Sequence, residues 1–301
     1  MYDLIIIGGG AAGMTAAIYA ARYKLKTILV SENLGGLIVD AHKVENYPGI
    51  NNVSGMELMN RMEEHVRSFN VEIKEQNIKD IKKDKDKFIV TTDKEEKIEG
   101  KSLILALGTK KRRLNIKDEE RFAGKGISYC YTCDAPFYKG KNAVVAGGGD
   151  SACIASLLLS EYCPKVYLVA KDKLTGEPHN ISLVQDKKNI EIIEKAIIEK
   201  IKGEKHVESV ILNNGQELKV NAIFVEVGSI PSTSLIKKLG INLDEVGYIV
   251  VNPKMQTNIE GVFAAGDVTT GSGGVRQVIT AAAEGAIAAN SVFNYIRIKK
   301  A

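Results

Sequence analysis

The sequence predicts an α/β fold with two three-layer domains, because a strand, a glycine-rich turn and a helix follow one another at two places in the chain. The first set begins with the apolar run 4–7 and the second with the run 142–146. Each set continues into another predicted strand, at 27–30 and at 165–170. A chain of 301 residues is long enough for two such domains.

The first glycine-rich turn has the spacing of a dinucleotide-binding site. Gly8, Gly10 and Gly13 follow the first strand, and Glu32 follows the next strand. Glycines at this spacing let the backbone approach a pyrophosphate, which the N-terminus of the following helix binds through its amides and its dipole. An acid after the second strand binds the adenosine ribose. The flanking strands and helix distinguish this pattern from a glycine-rich turn in another α/β fold.

Between the two turns the sequence predicts an amphipathic helix over 54–69 and strands over 71–92. The second turn repeats the first pattern, with Gly147, Gly149 and Ala152 at the equivalent positions. Alanine is accepted at the last of these positions. Two copies predict two Rossmann-like domains, an arrangement typical of flavoproteins that pass electrons between two redox carriers.

The later part of the chain completes the predicted elements. A hairpin is predicted over 207–218, where Asn214-Gly215 forms the turn, and a strand over 222–227. A helix rich in small residues is predicted from Val275 towards the C-terminus.

Composition and charge exclude several classes of protein. No uncharged apolar segment reaches about 18 residues, so no membrane span is predicted. A net charge of +4 is too small to indicate a nucleic-acid partner. The N-terminus enters a strand without a basic leader, and four cysteines are too few for a disulfide-stapled secreted protein. We therefore expect a cytoplasmic location.

Two cysteines separated by two residues lie between the glycine-rich turns. Cys130 and Cys133 either form a small disulfide ring, bind a metal or are a buried structural pair. Zinc needs two further ligands, and Cys153 and Cys163 do not have the spacing of a second ligand pair, so no metal site is predicted. Asp134 is adjacent to the pair and is a candidate proton donor or acceptor in thiol–disulfide exchange.

Several further motifs occur in a fixed order along the chain. They are the Cys-x-Thr-Cys-Asp segment at 130–134, the Val-Glu-Asn-x-Pro-Gly loop at 44–49, the pair Gly35 and Gly36, Ala265-Gly266-Asp267, and Arg276-Gln277. In combination they resemble the low-molecular-weight thioredoxin reductase family over essentially the whole chain. The resemblance implies an FAD-binding domain over 1–113 and 241–301, into which an NAD(P)-binding-like domain over 114–240 is inserted.

The resemblance also implies the site residues and partners. Cys130, Cys133 and Asp134 would be catalytic in the FAD-mediated reduction of thioredoxin or a thioredoxin-like protein by a homodimer. The implied FAD-binding residues are Gly8, Gly10, Gly13, Glu32, Gly35, Gly36, Asn46, Gly266, Asp267, Arg276, Gln277 and Val278. Among these, Asp267 would bind the ribityl hydroxyls, and Asn46 the polar edge of the flavin ring. Gln277 and Val278 would open a helix whose amides face that ring.

The segment that follows the predicted strand 165–170 departs from the sequence pattern of the family. Relatives that use NADPH have a His-Arg-Arg cluster there, which binds the 2′-phosphate. Here Ala170 is followed by Lys171, Asp172 and Lys173, and lysine supplies a point charge rather than a planar fork. The sequence therefore favours a donor other than NADPH, with reduced ferredoxin ahead of a deazaflavin. The basic segment 110–113 is a candidate contact for an acidic ferredoxin.

Three alternatives are left by the sequence. One is an NAD(P)H-dependent thioredoxin reductase whose lysines suffice to hold the nucleotide. Another is a flavin NAD(P)H oxidase on the same scaffold, and the third is a redox-sensing module without enzymatic activity.

Overall fold

A computed structural model describes residues 1–41 and 43–300 of the chain. The β-strands are β1 (Leu4–Gly9), β2 (Thr27–Leu34), β3 (Glu72–Glu75), β4 (Ile78–Asp84), β5 (Lys87–Thr92), β6 (Lys97–Gly100), β7 (Leu103–Leu105), β8 (Thr109–Lys111), β9 (Ile127–Ser128), β10 (Ala143–Ala146), β11 (Val166–Val169), β12 (Ile190–Ile193), β13 (Ile198–Lys202), β14 (Ser209–Leu212), β15 (Glu217–Lys219), β16 (Ala222–Val225), β17 (Ser229–Pro231) and β18 (Val262–Ala264). The α-helices are α1 (Ala11–Arg22), α2 (Gly55–Ser68), α3 (Glu119–Phe122), α4 (Tyr131–Asp134), α5 (Asp150–Leu159), α6 (Pro178–Asp186) and α7 (Val278–Lys300). Short 3-10 helices cover Gly36–Asp40, Ala135–Tyr138, Ser234–Leu239 and Gly271–Gly274.

The chain divides into two compact units. The first consists of Met1–Lys110 together with the chain from Ile230 onward, and the second of Lys111–Ser229. The chain re-enters the first unit before residue 241, where the resemblance places the boundary. Ile236 of the 3-10 helix Ser234–Leu239 is already buried in the core of the first unit.

The first unit has three layers around a five-stranded sheet of order β18-β7-β1-β2-β3. Neighbouring strands in it are parallel. Leu4 and Ile6 pack against α1 and α7, whereas Ile5 and Ile7 pack against the antiparallel sheet formed by β4, β5 and β6. Successive side chains of β1 thus enter opposite layers, and both are apolar because both faces of the sheet are covered.

The second unit repeats this architecture. Its parallel sheet has the order β12-β11-β10-β16-β9. Val145 of β10 packs in the layer of α5, whereas Val144 and Ala146 pack against the antiparallel strands β13, β14 and β15. The predicted α/β fold with two Rossmann-like, three-layer domains is confirmed.

The helix predicted between the two turns forms as α2. Ser54 caps its N-terminus, because its hydroxyl oxygen accepts a hydrogen bond from the backbone N–H of Glu57 at 3.1 Å. The apolar residues at helical spacing belong to the core: Leu58 and Val66 are buried, and Met62 and Phe69 pack against the core partly buried. In the part of the chain that the structure describes, no helix is both long and apolar enough to span a bilayer.

The last helix begins three residues later than Val275, the predicted start. Thr280 determines this start, since its hydroxyl donates to the carbonyl of Val275 at 2.7 Å and accepts from the backbone N–H of Gln277 at 3.1 Å. The first helical hydrogen bond then runs from the N–H of Ala281 to the carbonyl of Gln277. The side-chain cap thus places Gln277 directly before the first turn of α7.

Candidate active site

The first glycine-rich turn brings three backbone segments into close contact. Gly8 has φ +111°, and a Cβ there would lie 2.1 Å from the carbonyl oxygen of Ala106. A Cβ on Gly13 would lie 1.9 Å from the carbonyl oxygen of Gly8. Gly8 and Gly13 therefore serve packing within the protein. Gly10 differs, because a Cβ there would find no atom nearer than 3.9 Å.

The second glycine pair of this unit lies beside the turn. Gly35 and Gly36 both have positive φ, and the N–H of Gly35 donates to the carbonyl of Gly9 at 2.8 Å. A Cβ on Gly36 would lie 3.4 Å from the Cα of Gly10. Glu32 is exposed near the end of β2. The carboxyl end of β2 thus carries an exposed acid next to an uncapped helix N-terminus, the arrangement that binds a ribose and a pyrophosphate.

Two residues predicted to face the flavin ring are hydrogen-bonded to each other. The Nδ2 of Asn46 donates to the Oε1 of Gln277 at 3.1 Å. Val278, next in the chain, is the first residue of α7. The loop 44–49 and the start of the last helix therefore meet in the first unit, although more than two hundred residues separate them in sequence.

Asp267 follows β18 and is half-buried. Burial raises the pKa of its carboxyl group, Arg276 opposes this effect, and Glu284 reinforces it. No described residue donates a hydrogen bond to the Asp267 carboxylate. The guanidinium of Arg276 lies over the ring of Tyr248, 3.9 Å from its centroid. The Asp267 carboxylate is thus a half-buried acceptor that is open to the hydroxyl groups of a ligand.

In the second unit, Cys130 and Cys133 form a disulfide with a Cα–Cα distance of 5.4 Å. Cys130 caps the short helix α4, and its sulfur accepts from the backbone N–H of Cys133 at 3.2 Å. Cys133 is exposed, whereas Cys130 is half-buried. Cys130 at the N-cap and Cys133 within the same short helix thus lie close enough to form a disulfide.

Asp134 ends α4 directly after the disulfide. Its N–H donates to the carbonyl of Cys130 at 3.1 Å. Burial, and then the charge of Asp134, raise the pKa of the Tyr138 hydroxyl. Asp134 is half-buried and stays close to the redox pair, as a proton donor or acceptor there requires.

The comparisons with known proteins agree with this geometry. The sequence profile of the pyridine nucleotide-disulphide oxidoreductase family matches residues 2–285. The chain belongs to this family. A protein described as a 34.2 kDa protein in the rubredoxin operon of Clostridium pasteurianum is 43% identical over 98% of this chain and 97% of its own length.

Two solved structures are similar to this oxidoreductase over nearly its whole length. Thioredoxin reductase from Lactococcus lactis has 34% identity and a TM-score of 0.95, covering 99% of this chain and 100% of its own. A ferredoxin-flavin thioredoxin reductase from Clostridium acetobutylicum has 32% identity and a TM-score of 0.55, covering 99% and 98%. The predicted resemblance to low-molecular-weight thioredoxin reductases is confirmed.

The oxidoreductase is an FAD-binding flavoprotein. Its first unit fits this cofactor, since the space beside Gly10 suits a pyrophosphate and the half-buried carboxylate of Asp267 suits the hydroxyls of a ribityl chain. Glu32 would hold the adenosine ribose. Asn46 and Gln277 would hold the flavin ring, and the individual contacts stay predictions.

Gly10→Val is expected to give a folded protein that contains no FAD. Gly10 has φ −80° and ψ −173°, a backbone conformation open to any residue, and the new side chain would fill the space that a pyrophosphate needs. Flavin absorbance and circular dichroism of the purified variant check this result.

The matched control is Gly149→Val. Gly149 caps α5 with φ −85° and ψ −174°, and a Cβ there would also lie in open space. The control should purify with stoichiometric FAD. Loss of flavin in the control, or its retention in Gly10→Val, would contradict the placement of the cofactor in the first unit.

Sequence reasoning missed two buried acids of this oxidoreductase. Glu284 on α7 accepts hydrogen bonds from the loop that holds Asp267. Glu226, which follows β16, forms an ion pair at 3.3 Å with Lys111, whose ammonium also donates to the carbonyl of Tyr129 just before the disulfide. A charged residue inside a helix of small residues is the sequence feature that could have indicated a role for Glu284. No sequence feature indicated that Lys111 and Glu226 form an ion pair.

Proposed function

We propose that the chain reduces the disulfide of thioredoxin or a thioredoxin-like protein through Cys130 and Cys133. The observation that carries this proposal is the disulfide of α4 with its exposed Cys133. FAD, when bound, supplies the two-electron chemistry that reduces this disulfide. One thiolate of the resulting pair then attacks the partner's disulfide, and the second thiol closes the Cys130–Cys133 ring again. The partner leaves with two thiols, so two electrons and two protons are transferred.

Asp134 would hold a proton for this exchange. We expect Asp134→Asn to slow reduction of the partner about 100-fold or more, because a positioned acid–base group contributes about 10²–10⁴ to a rate. Single-turnover reduction of thioredoxin by the photoreduced variant measures this step apart from the electron donor. An unchanged rate would remove Asp134 from the mechanism.

We propose further that the donor is not NADPH and that reduced ferredoxin takes its place. Ala170 at the end of β11 is buried and offers no polar side chain, and Lys171, Asp172 and Lys173 after it are exposed. The sequence has no arginine between Arg121 and Arg276. The chain therefore lacks a guanidinium after β11 that would bind a 2′-phosphate in the bidentate manner.

The following segment leaves little room for another side chain. A Cβ on Gly176 would lie 3.0 Å from the sulfur of Cys153 and 3.2 Å from the Cα of Asp150. The Asp150 carboxylate fixes this segment, since it accepts from the N–H of Glu177 at 3.0 Å and from the Nδ2 of Asn180 at 2.9 Å. The contacts of Gly176 with α5 therefore disfavour an arginine or lysine side chain at position 176.

The basic segment predicted to contact ferredoxin is partly used within the protein. Lys111 pairs with the buried Glu226, and the guanidinium of Arg113 pairs with Glu120 at 3.0 Å. The other two cations of the segment, Lys110 and Arg112, are exposed. An acidic partner would therefore meet a smaller charge here than the sequence suggests.

An NAD(P)H-dependent thioredoxin reductase is the second candidate, and the second glycine-rich turn favours it. Gly147 has φ +146°, and a Cβ there would lie 2.1 Å from the carbonyl oxygen of Glu226. Gly149 opens towards space at the uncapped start of α5. This backbone suits a pyrophosphate, and an NADH-like nucleotide needs no 2′-phosphate contact.

Anaerobic reduction of the flavin by NADPH, NADH and reduced ferredoxin in parallel tests the proposal. We expect that reduced ferredoxin bleaches the flavin, that NADPH and NADH do not, and that thioredoxin then reoxidises the flavin. Bleaching by NADH or NADPH supports the second candidate, and rapid oxygen consumption without a disulfide acceptor supports a flavin oxidase. The homodimer and the cytoplasmic location stay predictions.

A further inference from the structure

Glu284 is a buried acid on α7 whose carboxylate is fully used by one loop. Its Oε2 accepts from the N–H of Gly266 at 2.8 Å and from the hydroxyl of Thr269 at 3.0 Å, and its Oε1 accepts from the hydroxyl of Ser272 at 2.6 Å. A Cβ on Gly271 would lie 2.4 Å from the Oε1. The loop 266–272, which contains Asp267, is thus wrapped around this carboxylate.

The same part of α7 also touches the helix of the first glycine-rich turn. A Cβ on Gly285 would lie 2.1 Å from the carbonyl oxygen of Ala12, and a Cβ on Gly266 would lie 2.9 Å from the Cβ of Ala12. The loop of Asp267, the helix α7 and the first turn of α1 therefore pack at one place. Glu284 is the charged group through which α7 holds the loop.

We propose that Glu284 is a positioning residue that holds Asp267 in place for the ribityl chain of FAD. A buried carboxylate is costly unless hydrogen bonds compensate it, and three donors from one loop supply that compensation. If one oxygen is replaced by an NH₂ group, the backbone N–H of Gly266 or the hydroxyl of Thr269 loses part of its acceptor. The peptide before Asp267 then loses its anchor.

Glu284→Gln is expected to weaken FAD binding about 10- to 100-fold, the loss typical of one hydrogen bond to a charged group. Flavin fluorescence that recovers on dilution of the purified holoprotein gives the dissociation constant. The matched control is Glu260→Gln, which removes an exposed carboxylate paired with Lys299 and should leave FAD binding unchanged.

A double-mutant cycle with Asp267→Asn separates positioning from general stability. If Glu284 acts through Asp267, Glu284→Gln should add less than about a threefold loss of FAD affinity in the Asp267→Asn background. If the losses of FAD affinity in the two single variants multiply in the double variant, the proposal is overturned, because Glu284 then acts independently of Asp267. It would also be overturned if Glu284→Gln lowered the melting temperature of the flavin-free protein but left FAD affinity unchanged.

Discussion

Cys133→Ser is expected to reduce turnover with thioredoxin to background while FAD stays bound at full stoichiometry. The substitution removes one sulfur of the Cys130–Cys133 disulfide, and a serine hydroxyl neither forms a disulfide nor leaves as a thiolate. The residues expected to bind FAD belong to the other unit of the fold, so the cofactor should be unaffected. Cys130→Ser should have the same effect. Single-turnover oxidation of the photoreduced variants by thioredoxin measures the loss.

Cys163→Ser is the matched control for this experiment. Cys163 is buried, and its thiol donates to the carbonyl of Tyr138 at 3.6 Å, a contact that a serine hydroxyl can replace. Burial raises the pKa of the Cys163 thiol to about 11, so it stays protonated near neutral pH and does not act as a nucleophile. Turnover of this variant should equal that of the wild type. Substantial turnover in Cys133→Ser would show that the redox pair is assigned wrongly.

The two parallel sheets were predictable because their signals are local. The apolar run of β1, the turn that begins at Gly8 and the small residues of α1 follow one another directly, and the same order recurs from β10 to α5. Helix ends were less predictable, since α7 begins where the side chain of Thr280 caps it rather than at Val275. A capping threonine has no fixed position in an apolar pattern, so the sequence alone does not place the helix start.

The candidate site was predictable where a motif carries it and not where long-range pairs build it. The disulfide of Cys130 and Cys133 was open to three interpretations from spacing, and the structure shows it formed. The sequence suggested that Lys111 is a surface cation, but the half-buried Lys111 pairs with the buried Glu226, which lies far along the chain. Such pairs depend on which segments the fold of the second unit brings together, and no local pattern in the sequence indicates that.

The segment 170–173 is where this sequence departs from the pattern of NADPH-dependent relatives, and this departure is the basis for the proposed electron donor. Each arginine contact to a 2′-phosphate contributes about 1.5–3 kcal/mol. Without two or three such contacts, affinity for NADPH should fall by at least about 10²-fold, since 1.4 kcal/mol corresponds to a factor of ten. Lys171 and Lys173 are exposed and would recover only about 1 kcal/mol or less each. We therefore expect millimolar NADPH to reduce the flavin slowly or not at all, and reduced ferredoxin to reduce it readily.

Stopped-flow measurement of flavin bleaching decides between the donors. Reduced ferredoxin at micromolar concentration should give the fast phase, and added salt should slow it, because screening weakens the attraction of an acidic partner to cations such as Lys110 and Arg112. NADH serves as the internal control, since a site without a 2′-phosphate contact should give equal, slow rates with NADH and NADPH. Fast bleaching by micromolar NADPH or NADH would refute the ferredoxin proposal and assign the glycine-rich turn at Gly147 to a pyridine nucleotide.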